Sequence, residues 1–203
     1  MPASKLAIET PKGPARAHLH PAEEPRVAIV LGHGAGGGVE AVDLVAATEA
    51  ATDSGFTVAL VEQPYRVAGR RSPAPAGQLD TAWTTVVAAL REGALQDLPL
   101  VTGGRSLGAR VACRTVAETG AIAVLCLAFP VHPPGRPEKS RMAELDAVEI
   151  PVLVIQGESD PFGMPAPGAG REIVTVPGNH GLKADLDGVR AAIAAWLPSV
   201  LPT

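Results

Sequence analysis

The stretch Leu98-Pro99-Leu100-Val101-Thr102-Gly103-Gly104-Arg105-Ser106-Leu107-Gly108-Ala109-Arg110 decides the fold. A short apolar run ends in two glycines; a serine, a further glycine and a helix-favouring segment follow. Gly104-Arg105-Ser106-Leu107-Gly108 fits G-x-S-x-G, and a strand before it with a helix after it is the context in which that string forms a nucleophile elbow. The reason is steric. A strand that turns directly into a helix strains the turn residue and brings the chain close to itself, so the positions two before and two after the serine must be small. Ser106 Oγ is then lifted out of the sheet with a helix N-terminus aimed at it. The same string also fits an ordinary strand–helix loop in which Ser106 only caps the helix, so the other segments have to supply its partners.

On either side, apolar runs alternate with helix-patterned segments. Val27-Ala28-Ile29-Val30-Leu31, Thr57-Val58-Ala59-Leu60-Val61, residues 121–127 and Val152-Leu153-Val154-Ile155-Gln156 read as strands. The run at 27–31 has no polar alternation, as a strand covered on both faces requires. Residues 172–176 give a further strand. Helices are expected over about 40–53, with Val42, Leu44, Val45 and Ala46 as the apolar side, about 78–93, after the elbow, and about 185–197, with Leu186, Val189, Ile193 and Trp196 on one face. Residues 4–20 read as an edge hairpin around Pro11-Lys12-Gly13-Pro14, with His18 and His20 facing solvent. The order implies an α/β class: a mostly parallel sheet with helices on both faces, in one domain spanning residues 1–203.

Gly32, Gly34 and Gly37 follow a strand and precede a helix, which fits the dinucleotide fingerprint G-x-G-x-x-G, with Glu62 where a ribose-binding acid could sit. His33-Gly34-Ala35-Gly36-Gly37 fits equally the HGGG-type loop whose backbone N–H groups point at a developing oxyanion. A tight turn without a ligand is the third reading.

Two later strands end in motifs of their own. Gln156-Gly157-Glu158-Ser159-Asp160-Pro161-Phe162-Gly163 follows one, and Val176-Pro177-Gly178-Asn179-His180-Gly181 the other. Open parallel sheets bind ligands outside the carboxyl ends of their strands, so Ser106, Asp160 and His180 share one edge, in the chain order Ser, Asp, His. Glu158 competes with Asp160; the shorter acid beside a rigid proline is easier to hold against an imidazole. Together these point to nucleophilic acyl transfer, for which a dinucleotide enzyme has no need.

On these residues the chain resembles a small α/β-hydrolase, similar to the capless, dienelactone-hydrolase-like group. The likeness covers about residues 26–198 and rests on His33-Gly34-Ala35-Gly36-Gly37, Gly104-Arg105-Ser106-Leu107-Gly108, Asp160-Pro161-Phe162-Gly163 and Gly178-Asn179-His180. It implies a catalytic Ser106, Asp160 and His180 and an oxyanion hole from Leu107 with Ala35 or Gly34. It implies no cofactor and no metal. Dienelactone hydrolases proper carry a cysteine where this chain has Ser106.

The loop between the strands at 121–127 and 152–156 is too short for a cap domain, so small or polymer-end ester or thioester substrates are expected. Arg66, Arg70 and Arg71 could draw an anionic acyl group, and His132 could line the pocket. Net charge −4 and 3% aromatics argue against a nucleic-acid partner. Cys113 and Cys126 read as buried free thiols. Met1-Pro2-Ala3-Ser4-Lys5 lacks an apolar signal core and no run reaches membrane-spanning length. A cytoplasmic monomer or homodimer with a small-molecule substrate and no membrane partner is the expectation. The alternatives are a non-catalytic binding or scaffold protein on the same fold, or a dinucleotide-binding oxidoreductase using Gly32–Gly37.

Overall fold

The computed structural model describes residues 4–201. Residues 1–3, part of the amino-terminal stretch read for a signal core, and 202–203 lie outside the described residues. The apolar runs become the middle of one eight-stranded sheet. Its strands are β1 (Ser4–Ile8), β2 (Ala15–His20), β3 (Val27–Gly32), β4 (Phe56–Glu62), β5 (Leu100–Arg105), β6 (Ala123–Leu127), β7 (Val152–Gly157) and β8 (Arg171–Val176). They lie in the order β1-β2-β4-β3-β5-β6-β7-β8. Only β2 runs against its neighbours; every other pair is parallel.

The strand period of two sorts β3 onto two cores. Ala28 and Val30 face one, with Trp83, Val87 and Leu90 of α3 (Ala76–Glu92) and Val111 and Ala112 of α4 (Leu107–Arg114). Val27, Ile29 and Leu31 face the other, with Leu44, Ala47 and Ala51 of α1 (Val42–Asp53) and Val189, Ile193 and Trp196 of α7 (Leu186–Trp196). Burying each such Leu, Ile or Val contributes about 1.5–3 kcal/mol. The short helices α2 (Pro64–Val67), α5 (Val116–Thr119) and α6 (Met142–Asp146) fill connections read as loops or as the tail of a helix. α6 is the only helix between β6 and β7, and no large cap covers the carboxyl edge among the described residues.

Two expectations change. The apolar side of α1 is Leu44, Ala47, Ala50 and Ala51, whereas Val42 and Val45 are exposed and Asp43 is turned inward. The inward turn has a cause in the site below: Asp43 meets a cation there. His18 does not face solvent. β2 is an inner strand, so the His18 ring packs beside β4, with Nε2 3.0 Å from Glu62 Oε2. Arg16 donates to the same carboxylate oxygen, and His20 is half-buried next to His18.

The topology positions the site. The chain leaves β3 toward β4 on one side and returns with β5 on the other, so the loops after β3 and β5 face each other across the switch point. Their approach is backbone on backbone. A Cβ on Gly104 or Gly108 would strike the carbonyl oxygen of Gly32, and a Cβ on Gly32 would lie 3.1 Å from Gly108 Cα. Gly77, in the first turn of α3, has open space around it. Gly108→Ala is expected to cost about 1–3 kcal/mol through overpacking, whereas Gly77→Ala gains about 0.5–1 kcal/mol in the helix. Thermal unfolding of the two variants checks the opposite signs.

Candidate active site

β5 turns into α4 at one residue. Ser106 has φ 52° and ψ −105°, a strained conformation for a side chain with a Cβ. Its N–H donates to Leu127 O at 2.9 Å, which ties the turn to β6, while Leu107 N–H opens the first turn of α4.

The loop after β8 brings His180 to this turn: Nε2 lies 2.9 Å from Ser106 Oγ and Nδ1 2.8 Å from Asp160 Oδ2. The carboxylate is an acceptor throughout, since Gln156 Nε2 donates to Oδ2 and Phe162 N–H to Oδ1, each at 2.8 Å. Nδ1–H of His180 therefore donates to Asp160, and the lone pair of Nε2 is left to accept the Ser106 hydroxyl. The Asp160 side chain is 1% exposed and that of His180 15%. Phe162 stacks on the imidazole at 4.0 Å between ring centres, fixing its plane. Glu158, the competing acid, is exposed.

The glycine loop after β3 is wired from behind. Gln63 N–H donates to His33 Nε2 at 3.2 Å, which leaves the His33 proton on Nδ1, and Nδ1 donates to Gly34 O at 2.8 Å. Burial holds the His33 pKa below the ordinary value, so the ring stays neutral. The peptide of Gly34 O also carries the Ala35 N–H, which points the opposite way. Tyr65 Oη donates to Ala35 O at 3.0 Å, and burial pushes its pKa up to about 12, so it remains a donor. Gly34 packs close to Ser106: a Cβ there would be 3.7 Å from Ser106 Cβ. The glycine loop thus lies beside a serine that is hydrogen-bonded through an imidazole to a buried carboxylate.

A family profile described as an alpha/beta hydrolase domain matches residues 25–175. The chain belongs to that family. Solved structures agree on the fold. XC6422 from Xanthomonas campestris, described as an a/b serine hydrolase without lid, is 21% identical, with 100% of this chain and 98% of that one covered at a TM-score of 0.81. Est1E from Butyrivibrio proteoclasticus is 16% identical over 97% of this chain and 98% of its own, TM-score 0.79. A dienelactone hydrolase from Anabaena variabilis is 16% identical over 99% of both chains, TM-score 0.76. No curated protein matches the sequence.

Within this hydrolase-family fold the remaining expected residues lie around the triplet rather than in it. His132 sits against the Asp160 loop: its N–H donates to Phe162 O, and its ring packs on Gly163. Arg66 lies in α2 close enough to His33 and Tyr65 to lower the pKa of each. Arg70 lines a cavity of about 260 Å³ with Lys12, Gln63, Tyr65 and Leu79, and Arg71 is exposed. Glu62, the acid a dinucleotide would need, is already engaged by Arg16 and His18. Cys113 and Cys126 are buried free thiols with sulfurs 3.7 Å apart. Among the described residues no cluster of three metal-ligating side chains occurs and no helix is long and apolar enough to cross a membrane.

Reading residue types missed Gln156, Phe162, Tyr65 and Arg105. A Gln closing an apolar strand was the signal for Gln156, which is wholly buried: its amide nitrogen meets Phe129 O and Gly163 O as well as Asp160.

The neutral His33 sets a pH dependence. In the unfolded chain it protonates with pKa near 6.5, whereas in the fold its pKa is lower. The unfolded state then binds more protons below that value, so stability falls as pH drops through it; His20, lowered by burial and by His18, acts with the same sign. Melting temperatures taken between about pH 7.5 and pH 5.5 should fall less steeply for His33→Asn than for the wild type; equal slopes would contradict the neutral buried ring.

Proposed function

We propose that the protein is a serine hydrolase that cleaves small esters or thioesters through an acyl-enzyme. The observation that carries this reading is the unbroken hydrogen-bond chain from Asp160 through His180 to Ser106, ending on a strained serine. In the first half-reaction His180 Nε2 takes the Ser106 proton as Oγ attacks the carbonyl carbon. Asp160 stabilises the resulting imidazolium, and His180 returns the proton to the leaving group. Water then attacks the acyl-enzyme, with His180 again as base, and Ser106 is released.

The oxyanion is held by Leu107 N–H and Ala35 N–H. The pinning of Gly34 O by His33 favours Ala35 over Gly34 for this role. Phe162 keeps the imidazole plane during proton transfer, and Gln156 keeps Asp160 from rotating. The uncapped edge suits small acyl groups or the ends of longer chains, and Arg66 and Arg70 would draw anionic ones toward it. Serine in place of cysteine at position 106 separates this chemistry from that of dienelactone hydrolases proper. The pair of unlinked thiols supports work in a reducing compartment, the cytoplasm.

Kinetics on a panel of aryl esters and thioesters test the assignment. Asp160→Asn should lower kcat about a thousand- to ten-thousandfold, far more than His33→Ala, while Glu158→Gln leaves it unchanged. Equal losses for Asp160→Asn and Glu158→Gln, or unchanged turnover in Ser106→Ala, would contradict it.

A further inference from the structure

Arg105 precedes the nucleophile, yet its side chain turns away from the reaction path and joins three other segments. Nε donates to Asp43 Oδ2 at 2.9 Å, and Nη2 donates to the main-chain oxygen of His180 at 3.1 Å. Nη1 lies against Gly34, where a Cβ would come within 2.6 Å of it. One planar guanidinium thus touches the first turn of α1, the base loop after β8 and the glycine loop after β3, while its own backbone sits in the elbow. Asp43 is deeply buried for a carboxylate: its side chain is 1% exposed. α1 turns it inward although this leaves Val42 and Val45 at 40% and 39% exposure. Its second oxygen accepts Leu44 N–H at 3.0 Å, so the carboxylate is fixed to the helix it belongs to.

We propose that Arg105, anchored by Asp43, is a positioning residue that sets the main chain of His180 and the Gly34–Ala35 peptide relative to Ser106. The inference rests on the hydrolase reading above. An imidazole swings from its own Cα, so fixing the carbonyl of His180 fixes the direction from which Nε2 meets Oγ. The glycine at position 34 has a matching cause, since any side chain there would displace the guanidinium. Asp160 and Phe162 hold the imidazole ring itself, and Arg105 holds the main chain that carries it. A cleft of about 380 Å³ opens over Arg105 between Gly37, Asp43, Gly181 and Lys183, so the clamp is within reach of solvent on that side.

Arg105→Lys and the double variant Arg105→Gln/Asp43→Asn test the clamp. Lysine can keep Asp43, but a single ammonium cannot span Asp43, His180 O and Gly34 together. The double variant leaves no buried charge unpaired, so it should still fold. Each is assayed below its own melting temperature for ester turnover and for the rate at which a fluorophosphonate labels Ser106. The expected result is a fall in kcat of about tenfold to a hundredfold with KM changed by less than about threefold, and labelling slowed in parallel. Folded variants that label and turn over at the wild-type rate overturn the proposal, as does a loss of activity that merely follows the unfolded fraction. A wild-type protein that the probe does not label at all strikes the hydrolase reading itself rather than the clamp.

Discussion

The close approach of Gly32, Gly104 and Gly108 is the constraint on which the site depends. Side chains at the last two would meet the Gly32 carbonyl, and only their absence lets α4 start directly from β5. That start forces Ser106 to φ 52°, and the strain is held by Ser106 N–H bonding Leu127 O in the neighbouring strand. The parallel order β3-β5-β6-β7-β8 then carries the glycine loop, Ser106, Asp160 and His180 to one edge. A packing event between glycines therefore fixes where the chemistry can occur.

Polar groups at this edge hold one another. Gln156 and the Phe162 amide hold Asp160, Asp160 holds His180, and His180 holds Ser106. A parallel chain runs from Gln63 through His33 to the Gly34 carbonyl, with Tyr65 fixing the next peptide. The donors of these buried networks are paired, while Oε1 of Gln63 and of Gln156 meets no protein partner. Donors already aimed at a developing charge need no reorganisation when it forms. Membership in the alpha/beta hydrolase family and this arrangement are separate facts. The family profile ends at residue 175, and His180 beyond it is placed beside Ser106 by the hydrogen bonds of the fold.

The central strands were legible because a sheet covered on both faces demands largely apolar runs, and β3, β4, β6 and β7 obey that demand. The order of Ser106, Asp160 and His180 was legible because each follows a strand at its carboxyl end. What escaped depends on tertiary partners. The face of α1 could not be read from Val42 and Val45, since a cation sixty-two positions away draws Asp43 inward. His18 looked solvent-facing because alternation does not reveal that β2 lies inside the sheet against Glu62. Arg105 said nothing about itself in sequence: its partners Asp43 and His180 lie in elements that only the folded topology brings together.

The acyl-enzyme is the species that most directly tests the assignment of Ser106. Rapid mixing of the wild-type protein with an activated aryl ester, followed by acid quench and peptide mass analysis, reads it out. The expected result is a burst of aryl alcohol stoichiometric with protein and the acyl mass on the peptide that contains Ser106. Turnover with no burst and no acyl mass on that peptide, or with the acyl group on another residue, would contradict it.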